Sequence, residues 1–270
     1  MRTSARVLAD KIDKIKESGK LGPRSSALPT WCPGCGYFGI HQGINSCINE
    51  LGLELHNIVI VSGIGCAGRY PFFSRTYGLH TVHGRTLPTA TGVKLANPDL
   101  TVFAVGGDGD GLAIGGGHLA HVARRDLNIN YILFDNSIYG LTKGQPSPSS
   151  PTGTKTKASP SGTIDKPLNA TLMALTYGAS FVARLFAGDP ELITRALVEG
   201  IQTPGFSFFH VYTSCVTFDK SFKTWTNLKK WVHPLPEGYN PTDYRGAVNQ
   251  VLDDDFSVGV IFRREASDES

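Results

Sequence analysis

Apolar residues along this chain alternate between short runs rich in β-branched and aromatic side chains and longer stretches with helical spacing. That alternation predicts an α/β fold. The short runs are Asn57 to Val61, Thr101 to Val105, Asn130 to Phe134, Phe181 to Leu185 and Phe206 to Tyr212. They are almost continuously apolar, as expected for strands of a mostly parallel central sheet covered by helices on both faces. Between them, Ile40, Ile44, Cys47, Ile48 and Leu51 share one helical face. Helices are predicted over Pro88 to Ala96, Leu112 to Arg125, Leu168 to Tyr177 and Pro190 to Ile201, the last with Asp189 as N-cap and proline at the first helical position. Near the N-terminus, Val7, Leu8, Ile12 and Ile15 predict a peripheral amphipathic helix, and a Gly-, Pro- and Ser-bearing linker follows.

Three stretches lack periodicity. Tyr70 to Arg85 is aromatic and polar, carries His80 and His83, and is expected to lie as a loop over a site. Tyr139 to Pro167 holds Pro146, Pro148, Pro151 and Pro160, and a connection of that length is expected to be functional or disordered. Beyond Phe218, tryptophans, prolines and charges predict a mostly irregular tail with a last strand at Val258 to Phe262. The expected organisation is therefore an N-terminal helix and linker (1–24), a main cofactor-binding domain (25–217) and a C-terminal extension (218–270) that packs on the core or on a partner subunit.

Composition narrows the function classes. Charged residues make up 18% of the 270-residue chain and glycines number 31, which favours a glycine-rich enzyme core or an interface-rich subunit. The net charge of +3 is spread out, so no nucleic-acid footprint is expected. No apolar run reaches the length of a membrane span and no signal-like segment opens the chain, which points to a cytoplasmic protein without a membrane partner. Five cysteines in a chain of this size do not form a disulfide scaffold.

The candidate chemistry sits at strand ends. Thr101 to Val105 runs into Gly106, Gly107, Asp108, Gly109, Asp110 and Gly111, and the strand after the next helix ends at Asp135 and Asn136. Adjacent parallel strands would bring Asp108 and Asn136 over one ligand, as hard oxygen donors suited to Mg²⁺ on a phosphate. The glycines let backbone close on a diphosphate, and a helix N-terminus favours its charge. The arrangement resembles the thiamine diphosphate signature, with Asp135 standing where that signature has a first asparagine. Gly63, Gly65 and Gly68 match a dinucleotide fingerprint, but no acidic residue lies between Glu54 and Asp99 to complete it. Cys32 and Cys35 form a C-x-x-C pair, and Cys66 and Cys215 sit at strand exits. Four such thiolates suit either zinc or an iron–sulfur cluster, and a thioredoxin-like pair is a further reading of the first two. Cys47, on its helical face, is expected in the core.

Taken together, Trp31-Cys32-Pro33-Gly34-Cys35-Gly36, Ser62-Gly63-Ile64-Gly65-Cys66, His83-Gly84-Arg85, Gly107-Asp108-Gly109-Asp110, Asn136, Tyr139-Gly140-Leu141-Thr142 and Gly144-Gln145-Pro146-Ser147-Pro148 resemble the β subunit of 2-oxoacid:ferredoxin oxidoreductases. The resemblance implies a [4Fe-4S] cluster on Cys32, Cys35, Cys66 and Cys215. It also implies thiamine diphosphate with Mg²⁺ on Asp108, Asn136 and the carbonyl of Ile138, and a cofactor pocket including Gly65, Cys66, His83, Gly107, Gly109, Asp110, Gly140, Leu141 and Thr142. Arg69 is the expected substrate residue, with 2-oxoglutarate favoured, and His83 a second catalytic candidate. An α subunit supplying an activating glutamate, coenzyme A as acyl acceptor and ferredoxin as electron acceptor complete the implied system. Pyruvate or broad 2-oxoacid specificity, a non-oxidative thiamine diphosphate decarboxylase and a zinc-stabilised scaffold are the competing readings.

Overall fold

The computed structural model describes residues 22–265. The amphipathic helix expected from Val7, Leu8, Ile12 and Ile15 lies outside the described residues.

An eight-stranded sheet organises the chain. Its strands are β1 (Ile58–Ser62), β2 (Tyr77–His80), β3 (Thr101–Gly107), β4 (Asn130–Asp135), β7 (Phe181–Phe186), β8 (Ser207–Tyr212), β9 (His233–Pro234) and β10 (Ser257–Arg263), in the order β2-β1-β3-β4-β8-β7-β10-β9. A separate two-stranded hairpin joins β5 (Ile138–Tyr139) to β6 (Gln145–Pro146). From β2 to β7 every neighbour is parallel; β10 pairs antiparallel with β7, and β9 runs parallel to β10. A helix, α1 (Tyr37–Glu50), leads into the first strand, and parallel pairing needs crossovers, which are helices read from sequence: α2 (Thr86–Ala96), α3 (Gly116–Arg125), α4 (Ala170–Thr176) and α5 (Pro190–Gln202).

Two apolar clusters lie on opposite faces of the sheet. Ile40 and Ile44 of α1 meet Ile193 and Leu197 of α5 in one, while Leu87, Leu119, Ala174 and Val251 fill the other. The α1–α5 contact is close because Gly39 and Gly43 present no side chain: a Cβ on Gly39 would strike the Ala187 carbonyl, and one on Gly43 would lie 2.5 Å from Ile193. Cys47 is fully buried in this layer. Helix starts follow the expected chemistry. Asp189 accepts the amide of Leu192 at 2.9 Å ahead of Pro190, and Asn169 accepts that of Leu172 at 3.0 Å.

The structure differs from expectation in three stretches. Tyr70 to Arg85 is not all loop: after a tight turn at Ala67–Phe73 it adds the edge strand β2. All four residues of β2 are exposed, so burial imposes no alternation for a pattern to betray. The helix expected from Leu112 starts at Gly116, behind a wide turn at Gly109–Ile114 in which the glycines let the Asp110 carbonyl reach the amide of Gly115 at 3.2 Å. Irregular stretches beyond Phe218 alternate with two further helices, α6 (Lys223–Trp231) and α7 (Tyr244–Asp253), before β10 closes the sheet. Only Leu228 of α6 is buried, which leaves little apolar periodicity to read.

His41 on α1 is buried among Trp31 and Tyr70 with Nδ1 unpartnered among the described residues. Burial, and then the charge of Arg24, lower its pKa to about 4. The folded state therefore binds fewer protons than the unfolded chain between about 4 and 6.5, and stability falls as pH drops through that window. Thermal unfolding of the single chain should show a loss on the order of 2 kcal/mol from pH 7 to 4 that His41→Leu removes.

Candidate active site

Because β1, β3, β4 and β8 run parallel, their carboxyl ends share one edge. Ser62 pairs with Val105, Gly107 with Phe134, and Asp135 with Tyr212, so the loops beginning at Gly63, Asp108, Asn136 and Thr213 emerge side by side. A cleft opens there. From the β1 side it receives Gly65, Cys66 and His83; from the β3 exit, Gly107, Asp108, Gly109 and Asp110; and from the β4 exit, Asn136, Ile138, Gly140, Leu141 and Thr142. Arg69 stands outside this lining. It is half-buried in the turn after Cys66, close enough for its charge to favour the Cys66 thiolate.

Asp108 is 2% exposed, at the head of the wide turn. Burial first, and then the negative charge of Asp135, push its pKa up to about 7. Ser149 Oγ bridges the pair, lying 3.0 Å from Asp108 Oδ2 and 2.7 Å from Asp135 Oδ1. Burial alone would raise Asp135 as well, but a 2.8 Å contact with His210 Nε2 and the hydrogen bonds from Ser149 and the Ser137 amide hold it below the usual carboxylate range. Asn136, the next residue, turns the other way: its Nδ2 donates to Tyr37 OH at 3.1 Å and its Oδ1 accepts the Ile138 amide at 3.2 Å. The residue standing where the signature has asparagine is thus part of a buried ionic network, and the amide that follows it lines the cleft.

Asp110 is used differently. Its Oδ1 accepts the amides of Ile64 at 2.9 Å and Gly84 at 2.8 Å, and its Oδ2 accepts the Thr86 hydroxyl at 3.2 Å. It clamps the β1 exit loop and the start of α2 to the β3 exit. A Cβ on Gly63 would strike this carboxylate, and one on Gly68 would strike the Gly63 carbonyl. Those two glycines of the apparent dinucleotide fingerprint are therefore required by close packing. Gly109 similarly yields to the ring of Tyr139, whose hydroxyl donates to the Gly109 carbonyl at 3.1 Å and whose ring lies 6.1 Å from that of His83.

The cysteine segments converge beside the cleft. Trp31 Nε1 donates to the Cys66 carbonyl at 2.7 Å, and Cys32 Sγ lies 3.1 Å from Thr217 Oγ1. Cys35 is pushed up to about 12 by burial, opposed by the Tyr37 amide and reinforced by the charges of Cys215, Cys66 and Cys32. A Cβ built on Gly140 would lie 3.4 Å from Cys215 Sγ and 3.9 Å from Cys66 Sγ, so the glycine leaves a space that two sulfurs flank. Among the described residues no group of His, Cys, Asp or Glu is gathered tightly enough for a single metal ion.

Residues 63–211 match the family model described as thiamine pyrophosphate enzyme, C-terminal TPP binding domain, and residues 215–269 match the model for the C-terminal part of the pyruvate ferredoxin oxidoreductase beta chain. The 2-oxoacid:ferredoxin oxidoreductase subunit beta of a Sulfolobus species is 40% identical over 250 residues, covering 87% of this chain and 82% of that one. This chain belongs to the β subunits of the 2-oxoacid:ferredoxin oxidoreductases. The 2-oxoglutarate oxidoreductase subunit KorB of Mycobacterium tuberculosis is 47% identical over 193 residues, which span 71% of this chain and about half (52%) of that relative's length. A solved 2-oxoglutarate:ferredoxin oxidoreductase from Magnetococcus marinus, with 2-oxoglutarate, coenzyme A and succinyl-CoA bound, superposes with a TM-score of 0.87 at 40% identity, covering 91% of this chain and 84% of that one.

Three residues of this β subunit's site carry no sequence signal strong enough to single them out. Tyr37 follows the C-x-x-C-G turn and receives Asn136; Ser149 sits in a Ser- and Pro-rich run; His210 lies within an apolar strand. A histidine in an otherwise apolar strand is the one hint the sequence offered. The separate duties of the two carboxylates make a test. Asp110→Asn should lower the stability of the single chain by about 1–3 kcal/mol, and Gly63→Ala by a similar amount. Asp108→Asn, which removes a buried charge beside Asp135 and keeps an oxygen for the Ser149 hydroxyl, should leave it unchanged or higher. Thermal unfolding at pH 8 checks all three.

Proposed function

We propose that this chain is the thiamine-diphosphate-binding β subunit of a coenzyme A-dependent oxidative decarboxylase, which converts 2-oxoglutarate to succinyl-CoA and CO₂ and passes the electrons through a [4Fe-4S] cluster to ferredoxin. The observation that carries this reading is one sheet edge presenting a metal-type oxygen pair, Asp108 and Asn136, beside the sulfurs of Cys66 and Cys215. The names of the mycobacterial and Magnetococcus relatives support the choice of 2-oxoacid.

In this reading Asp108, the Asn136 amide oxygen and the Ile138 carbonyl hold Mg²⁺, an ion that prefers hard oxygen donors and sits on phosphates. Gly107 and Gly109 keep side chains away from the diphosphate. Bound thiamine diphosphate supplies the electron sink for decarboxylation that no side chain provides. Cys32, Cys35, Cys66 and Cys215 hold the cluster, and the raised pKa values of Cys35 and Cys66 mean that cationic iron offsets a costly set of buried thiolates. His83, half-buried with its ring 6.1 Å from that of Tyr139, lines the cleft where a ring nitrogen can hydrogen-bond to the cofactor or substrate. Arg69 pairs with the distal carboxylate of the dicarboxylic substrate when the pocket is completed by the α subunit.

That subunit is required because no glutamate lines the cleft among the described residues, whereas activation of the cofactor needs one. Residues 25–217 are the cofactor-binding unit, and the C-terminal extension, described as far as residue 265, packs on that core or on the partner subunit. We place the assembled enzyme in the cytoplasm; among the described residues no helix is long and apolar enough to cross a membrane.

Anaerobic co-purification with the α subunit should yield roughly four iron and four sulfide per β chain, and a visible band that bleaches on reduction. Cys66→Ala should abolish both. Arg69→Ala should cost at least about tenfold more kcat/KM on 2-oxoglutarate than on pyruvate. Equal losses on the two substrates would remove Arg69 from the specificity assignment, and full turnover by the isolated chain would overturn the need for a second subunit.

A further inference from the structure

The two residues that precede Cys215 are Thr213, 3% exposed, and Ser214, 1% exposed. Neither Thr213 Oγ1 nor Ser214 Oγ has a hydrogen-bond partner among the described residues. A buried hydroxyl left unpaired costs about 1–3 kcal/mol, and native structures rarely leave two such groups side by side without a reason. The backbone there is fixed, since the Thr213 amide donates to the Asp135 carbonyl at 2.8 Å as β8 leaves the sheet. The Thr213 hydroxyl is packed against Gly36, next in sequence to Cys35: a Cβ on Gly36 would strike Thr213 Oγ1. The hydroxyl thus faces the C-x-x-C turn from a position two residues ahead of Cys215. The amide of Tyr37 in the same turn already donates toward the Cys35 sulfur.

We propose, on the reading that Cys32, Cys35, Cys66 and Cys215 hold a [4Fe-4S] cluster, that the hydroxyls of Thr213 and Ser214 donate hydrogen bonds to its sulfurs and thereby set its reduction potential. One-electron reduction adds negative charge to a centre already surrounded by thiolates, and no bond is made or broken. A donor aimed at sulfur stabilises the reduced form more than the oxidised one, so it raises the potential. Thr213 and Ser214 are positioning residues for electron transfer, and their hydroxyls gain the partners that the protein alone does not give them.

The test uses the complete complex with its α subunit, purified anaerobically as wild type and as Thr213→Val, Ser214→Ala and Thr213→Ser. Midpoint potentials come from redox titration followed by electron paramagnetic resonance. Thr213→Val and Ser214→Ala should each shift the potential to more negative values by about 59 mV, the equivalent of a tenfold change in a one-electron equilibrium. Thr213→Ser, which keeps the hydroxyl, should titrate with the wild type. A hydroxyl that only packs would leave the potential in place, and its loss would leave stability equal or higher. Should the valine variant fail to fold, Thr213→Ala, which adds no atoms, takes its place. Variants with full iron and sulfide that titrate at the wild-type potential overturn the assignment of the hydroxyls alone. A wild-type complex without iron or sulfide overturns the cluster itself, and the assignment with it.

Discussion

Everything at this site depends on the parallel register of β1, β3, β4 and β8. Parallel strands deliver their carboxyl ends to the same edge, so residues as far apart as Cys66, Asp108, Asn136 and Cys215 become neighbours without any contact between them having to be strong. Register also decides orientation. Asp135 pairs with Tyr212 and turns its carboxylate to His210, while Asn136 turns to Tyr37 and the cleft. A slip of one residue would exchange the two, putting a second carboxylate where the amide belongs.

The electrostatics of the edge follow from that placement. Two buried carboxylates, Asp108 and Asp135, share one serine hydroxyl, and His210 with the surrounding donors keeps Asp135 charged. The cost falls on Asp108, held near neutral pH for its ionisation. Such a group gains most from a divalent cation, because the ion removes both the burial penalty and the repulsion at once. The cysteine group obeys the same logic: burial and mutual repulsion hold the Cys35 and Cys66 thiols protonated until a positive centre is present. Among the described residues these are two places where bare charge is expensive, and both lie on one edge.

Much of this was legible along the chain. Asp108 and Asn136 were identifiable because a glycine-rich strand exit and an asparagine one crossover later have few purely structural explanations. Cys32 and Cys35 stood out as a C-x-x-C pair, Cys66 and Cys215 by their strand-exit positions, and Cys47 by its helical phase. The role of Asp110 was not legible, since a second aspartate in the same glycine run differs from Asp108 only in the direction of its side chain. Nor was the true office of Gly63 and Gly68, whose spacing mimics a nucleotide motif while their lack of a side chain serves a carboxylate and a carbonyl from elsewhere in the fold. The edge strand Tyr77–His80 escaped for a simpler reason: exposed on both faces, it has no alternation to read.

The order of residues alone determined the α/β class, the positions of the main strands and helices and the family, because period, capping and strand-exit motifs are local properties written at short range. Tertiary structure decided which of two neighbouring aspartates clamps the β1 exit loop, that Ser149 and His210 tie one carboxylate to another, and that Arg69 stands beside Cys66 outside the lining. Those are questions of direction and of distance between remote segments. They are answered only when the sheet fixes where each strand ends and which way its last side chain points.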